Sequence, residues 1–161
     1  MMESIVSDTT TPIILGKLGR FDLLERLFSK IYIPKEVMRE ISKKSDGVCE
    51  EIEKNELFEV KEIENMAFFS LLNGILDRGE SEAIVLAKEL KLILLIDEKK
   101  GRSIAKDMGL NIIGLLGILI LNVKKQNISK EEAVVILEKI KELKFRVSRK
   151  LEDNYLKLMN N

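Results

Sequence analysis

The sequence predicts an α/β fold, with a central parallel sheet flanked by helices on both faces and a C-terminal helical hairpin. Three observations lead there. Short β-branched or wholly apolar runs alternate with longer stretches of helical period, the pattern of strand–helix–strand units. The run Leu92–Ile96 is apolar throughout, as expected of a strand buried on both faces. The chain has 161 residues and 45% of them are apolar, enough for one domain with a substantial core.

The elements follow in order. Ser4–Asp8 reads as a buried strand. Pro12–Leu18 and Phe21–Phe28 read as short helices punctuated by Gly19. Ile31-Tyr32-Ile33 is β-branched and aromatic, a second strand, and Pro34 suits the first turn of the helix that follows. Val37, Ile41 and Val48 give that helix an apolar side. Leu57–Val60 is a short strand or an extended segment. Met66–Leu76 is helical, with Phe68, Leu71, Leu72 and Ile75 at the spacing of one buried face. After Gly79, Glu80–Leu90 is a helix with Ala83, Ile84, Ala87 and Leu90 on its apolar side. Asp97-Glu98 closes the Leu92–Ile96 strand, and a helix runs on to about Met108. Asn111–Ile113 is a short strand and Gly114 opens another helix. Ser129-Lys130-Glu131-Glu132 is a capping-box start for a long helix, and a last helix begins near Ser148. The core domain spans residues 1–126, and residues 127–161 form a helical extension packed on it.

Composition excludes several chemistries. Histidine is absent and Cys49 is the single cysteine. There is no histidine-based triad, no histidine- or cysteine-built zinc site and no internal disulfide. Such a chain suits a reducing cytoplasm. No leader pattern stands at the start, and the apolar stretch Ile112–Val123 is too short for a membrane span. Lys+Arg and Asp+Glu are balanced at 27 each, but their distribution is uneven. Lys35–Glu64 carries ten acids against six bases, whereas Lys124–Lys150 carries nine bases against four acids. The basic third is either a phosphate-contacting surface or a solvated helical face.

Chemistry must then come from carboxylates, hydroxyls, Lys or Arg. Asp8 stands at the tip of the first strand, where α/β sheets bind ligands, and is followed by Thr9-Thr10-Thr11. It either ligates a metal or caps the next helix. Glu40 lies in the second turn of the helix after Pro34. Glu80 and Glu82 open the helix at Gly79, and residues two apart point to nearly opposite sides, so one of them faces any shared metal. Asp97 and Glu98 end the best strand, one capping the next helix and the other pointing inward. Lys99, Lys100 and Arg102 beside them either receive a nucleic-acid backbone or balance the acids. Converging carboxylates of this kind hold Mg²⁺ or Mn²⁺ for phosphodiester hydrolysis and need no histidine. Position 10 is Thr, not the acid that haloacid-dehalogenase phosphotransferases require. Asp8 has no acidic neighbour of the receiver type, and no Gly-rich phosphate loop is present.

Five segments in sequence carry a resemblance: Ile5–Thr10, Ile33–Ile41, Leu76–Ile84, Leu94–Arg102 and Ile113–Leu119. With the helical tail they cover nearly the whole chain, and it resembles the PIN-domain nucleases, in particular a prokaryotic branch related to VapC-type toxins. The resemblance implies a metal-dependent ribonuclease using Mg²⁺ or Mn²⁺, with RNA as substrate. As the toxin of a toxin–antitoxin pair it would meet a small antitoxin protein. The resemblance also implies metal ligands among Asp8, Glu40, Glu80, Glu82, Asp97 and Glu98, with Asp8, Glu40, Glu82 and Glu98 as the catalytic set. Two positions depart from the branch's pattern. Glu98 stands where a second aspartate is common, and Leu115 where a threonine is common. Those departures leave a second reading, a catalytically degenerate PIN-like module that binds nucleic acid or protein. Apolar residues such as Phe68 and Phe69, beyond what one core can cover, predict a homodimer.

Overall fold

A computed structural model describes residues 2–44 and 47–160. In chain order the elements are β1 (Glu3–Ser7), α1 (Thr10–Lys17), α2 (Asp22–Glu25), β2 (Phe28–Pro34), α3 (Lys35–Lys44), α4 (Val48–Lys54), β3 (Phe58–Lys61), α5 (Met66–Asn73) and α6 (Arg78–Leu90). They continue with β4 (Ile93–Leu95), α7 (Lys99–Asp107), β5 (Ile112–Ile113), α8 (Leu115–Lys124), α9 (Lys130–Glu142) and α10 (Arg149–Asn160). The five strands lie in the order β3-β2-β1-β4-β5, every neighbouring pair parallel. With the right-handed crossovers that parallel strands almost always use, helices cover both faces, because the chain moves one way from β1 to β3 and back the other way from β3 to β5.

β1 is the middle strand, and Ile5 and Val6 are wholly buried. β4 pairs on both sides, and Leu94 and Leu95 are buried likewise. This is the double-faced burial that its apolar run predicts. A single apolar cluster joins the sheet to α6, α8 and the C-terminal helices, taking in Ile136, Leu137, Ile140 and Tyr155. The Tyr155 hydroxyl donates to the Ala133 carbonyl at 2.7 Å, while Lys141, late in α9, pairs with Glu152, early in α10. The two helices therefore run antiparallel. Ser129 caps α9 by accepting the Glu132 N–H at 3.0 Å, as its motif predicts.

Three elements differ from the sequence reading. The Phe21–Phe28 segment is helical only over Asp22–Glu25, because Phe28 already pairs with Glu3 in the sheet. Val48 does not extend α3. Gly47, with φ of 90°, precedes a separate helix, and Val48 begins it. α5 is turned by one residue from the expected phase. Phe69 and Leu72 are its buried positions, whereas Leu71 is 74% exposed and Met66 and Ile75 are exposed too. Phe69, at 5% exposure, is therefore not part of any open apolar surface. No described helix is long and apolar enough to cross a membrane.

Candidate active site

The chain leaves β1 toward β2 and leaves β4 toward β5, in opposite directions across the sheet. A crevice opens at the carboxyl ends where two such neighbours diverge. Asp8 follows β1 and Asp97-Glu98 follows β4, so three acids border that crevice from adjacent strands. The Asp8 N–H donates to the Leu95 carbonyl at 2.9 Å, extending the strand ladder by one bond and fixing where the acid emerges.

Helices bring further acids to the same place. α3 crosses α6, and Gly79 lies at the crossing. A Cβ there would come within 3.0 Å of Glu40 Oε2. The missing side chain lets the Glu40 carboxylate approach the start of α6. The result is a cleft of about 300 Å³ lined by Asp8, Glu40, Asp77, Glu80 and Glu98, with Thr9, Thr10 and Lys44 among its other walls. The Thr9 hydroxyl donates to Glu40 Oε2 at 2.8 Å, and Lys44 pairs with Glu40 Oε1 at 2.8 Å.

Burial and mutual repulsion dominate the electrostatics. Asp8 is 7% exposed, and its pKa is pushed up to about 7. Desolvation is the main cause; the Thr9 backbone N–H opposes it, and the charges of Asp77, Glu40 and Asp97 add to it. Glu80, 8% exposed, is raised as well, first by burial, then by its hydrogen bond with Asp77 and by the charges of Asp77, Asp8 and Glu98. Its Oε2 is buried without a hydrogen-bond partner. That oxygen sits over Gly101, where a Cβ would be only 2.5 Å away. Asp97 is raised by burial, against the Leu115 N–H, the Thr11 hydroxyl and Arg102.

Among the described residues, no group of three acids is already spaced to hold a metal ion. The donor chemistry nonetheless fits one. All the candidate donor atoms are carboxylate oxygens, they repel one another, and one of them is an orphan. A hard divalent cation such as Mg²⁺ or Mn²⁺ matches that set, and it would let Asp8 and Glu80 ionise together.

The six acids read from sequence divide. Asp8, Glu40, Glu80 and Glu98 meet at the cleft. Glu82 does not. Its Oε1 accepts the Glu36 backbone N–H at 2.9 Å, satisfying an orphan donor in the first turn of α3. Asp97 lies beside the cleft. Its carboxylate accepts the Thr11 hydroxyl at 3.0 Å and the Leu115 N–H at 2.8 Å, so it caps α8 rather than α7. Glu98 occupies the N-cap position of α7 without a side-chain cap bond and is exposed. The Leu115 side chain is wholly buried; what it offers the crevice is its backbone N–H, while Thr11 supplies the hydroxyl. Sequence reasoning passed over Asp77. It caps α6 by accepting the Glu80 N–H at 2.8 Å and faces the cleft as well. The Asp77-x-x-Glu80 spacing of a capping box was the available signal.

A parallel α/β sheet with carboxylates gathered at its switch point defines a class of proteins, those whose acids serve a ligand at the strand ends. The sequence pattern of the PIN domain matches residues 4–161, and the chain belongs to that family. PIN domains are typically nucleases that use divalent metals. No curated protein matches this sequence.

Proposed function

We propose that this protein is a metal-dependent ribonuclease that hydrolyses RNA phosphodiester bonds at the cleft of Asp8, Glu40, Asp77, Glu80 and Glu98. The observation that carries the reading is the buried pair Asp8 and Glu80, whose ionisation is opposed by burial and by the carboxylates around them. A bound Mg²⁺ or Mn²⁺ would neutralise the scissile phosphate and acidify a water molecule. The chain's own groups do the rest. Asp8, Glu80 and Glu40 are the ligands we assign first, with Glu98 completing the set from the exposed side. The Thr9 hydroxyl orients the Glu40 carboxylate, and Lys44 adds a positive charge at the rim toward an incoming phosphate.

RNA cleavage is expected only with Mg²⁺ or Mn²⁺, and Asp8→Asn should lower its rate by about 100-fold, the scale of disturbing the carboxylates that hold and orient a catalytic metal. Metal-independent cleavage untouched by that substitution would sink the reading. The toxin role with a small antitoxin rests on the likeness to the VapC-type branch alone. A cytoplasmic setting suits the single buried Cys49. A homodimer is inferred from the apolar residues that α5 leaves in solvent.

One observation favours a second reading, a binding module without turnover: the acids are not pre-spaced for a metal among the described residues. Calorimetric titration with Mn²⁺ separates the two. Binding that disappears in Asp8→Asn supports the nuclease, and no heat at millimolar metal supports the module.

A further inference from the structure

Of the described residues that line the acid cleft, Lys44 alone is positively charged, against the acids Asp8, Glu40, Asp77, Glu80 and Glu98. It is the last residue of α3, and its side chain reaches back one turn to Glu40. Both oxygens of that carboxylate are taken. Oε1 accepts from the Lys44 ammonium and Oε2 accepts from the Thr9 hydroxyl, each at 2.8 Å. The ammonium is held above the ordinary lysine range, first by its hydrogen bond to Glu40, against some desolvation, and then by the charges of Glu40, Asp77 and Asp8. An ordinary i,i+4 pair on a helix surface joins one cation to one acid. This cation also answers to two acids from outside its own helix.

Glu40 is one of the metal ligands assigned above. A carboxylate held against an ammonium is badly placed to meet a divalent ion as well, because the two positive charges repel at that range. The pair is also easily broken. The Lys44 side chain is 61% exposed and that of Glu40 30%, and exposed pairs of this kind are weak. We propose that Lys44 is a latch on the metal site: its ammonium stands on Glu40 while the cleft is free of metal, and Mg²⁺ or Mn²⁺ must displace it to load. Before loading, the latch offsets part of the repulsion among the acids. It also sets the metal concentration at which the cleft fills. Lys44 is in this sense a positioning residue, acting through Glu40. The proposal rests on the nuclease reading and deepens it by assigning how that site is regulated.

The experiment is calorimetric titration of the full chain with Mn²⁺ in the absence of RNA. Lys44→Met removes the ammonium and keeps the apolar stem. It should tighten Mn²⁺ binding by about threefold to tenfold, the scale of removing one partly screened positive charge beside the ion. Lys44→Arg keeps the charge and should bind Mn²⁺ no tighter than the native chain. Lys43→Met removes a neighbouring exposed charge that lines no part of the cleft, and should shift the affinity by less than about twofold. A lysine that served only to end α3 gives no such gain: its loss would leave metal binding unchanged or weaken it. In cleavage assays on Lys44→Met, the Mn²⁺ concentration at half-maximal rate should fall in step with the dissociation constant. Unchanged or weaker Mn²⁺ binding in Lys44→Met, or equal tightening in Lys43→Met, overturns the inference and leaves the nuclease reading standing. Tighter binding in Lys44→Met alone, with no RNA cleavage by the native chain at saturating Mn²⁺, supports the latch and overturns the nuclease instead. No Mn²⁺ binding by any of these chains at millimolar metal overturns both.

Discussion

Glu80 and Glu82 are separated by one residue and by their surroundings. Glu80 has an orphan oxygen in the acid cleft, and Glu82 is committed to the first turn of α3. Glu80→Gln should therefore depress cleavage strongly, with folding stability unchanged or raised, since it removes a buried charge that repels its neighbours. Glu82→Gln should leave kcat near that of the native chain and cost about 1 kcal/mol in stability, the scale of weakening a charged hydrogen bond to a backbone N–H. Urea melts and single-turnover cleavage on both variants check the division; a larger kcat loss in Glu82→Gln would reverse it. The sequence could not make this distinction. Every residue from Gly79 to Ala87 is buried, so α6 has no polar face from which its orientation could be phased. Asp8, by contrast, was legible, because an apolar strand ending in an acid needs only the strand to be recognised. Asp77 was hidden behind its capping role.

The strands and most helices were readable because their apolar runs have clear lengths and breaks. α5 shows where that signal fails. Its sequence, MAFFSLLN, is apolar on nearly every side, so two phases one residue apart fit the period equally well. Packing against α6 selects Phe69 and Leu72, the ring of Phe69 lying under the Arg78 guanidinium at 5.5 Å, and Leu71 is turned out. If this face joins two copies, Leu71→Lys should shift sedimentation from dimer to monomer without lowering the melting temperature of the monomer. A monomer in the native chain at high concentration would end the dimer proposal. The same substitution is expected to leave cleavage per chain unaltered, because α5 contributes no wall to the acid cleft.

The whole molecule carries its strained charges in one place, and pH should expose them. Asp8 is raised from 3.8 to about 7 on folding, and Glu80 is raised as well. Between these values the folded chain binds more protons than the unfolded one, so stability falls as pH rises, by up to about 1.4 kcal/mol per pH unit for each such group. The Asp8 contribution is complete below about pH 4, is lost progressively toward pH 7 and is flat above. In chelator, the melting temperature should therefore drop from pH 5 to pH 7.5. Asp8→Asn should shallow that slope and be the more stable protein at pH 8, and Mn²⁺ should flatten it in the native chain. A melting temperature that climbs over this range in chelator would mean that the acids are not paired against one another as described.

The cleft draws its walls from residues 8–14, 40–44, 77–80 and 98, segments separated by most of the chain. No short stretch of this protein carries even half of the chemistry. During synthesis, a chain that has emerged only as far as β3 has Asp8 and Glu40 but neither Asp77, Glu80 nor Glu98 to complete the set. Hydrolytic capacity, under the proposed function, thus arrives only when α6 has docked and β4 has joined β1. Under that function, the ribosome that makes the protein would be spared an active nuclease at its own exit until nearly two thirds of the chain is out.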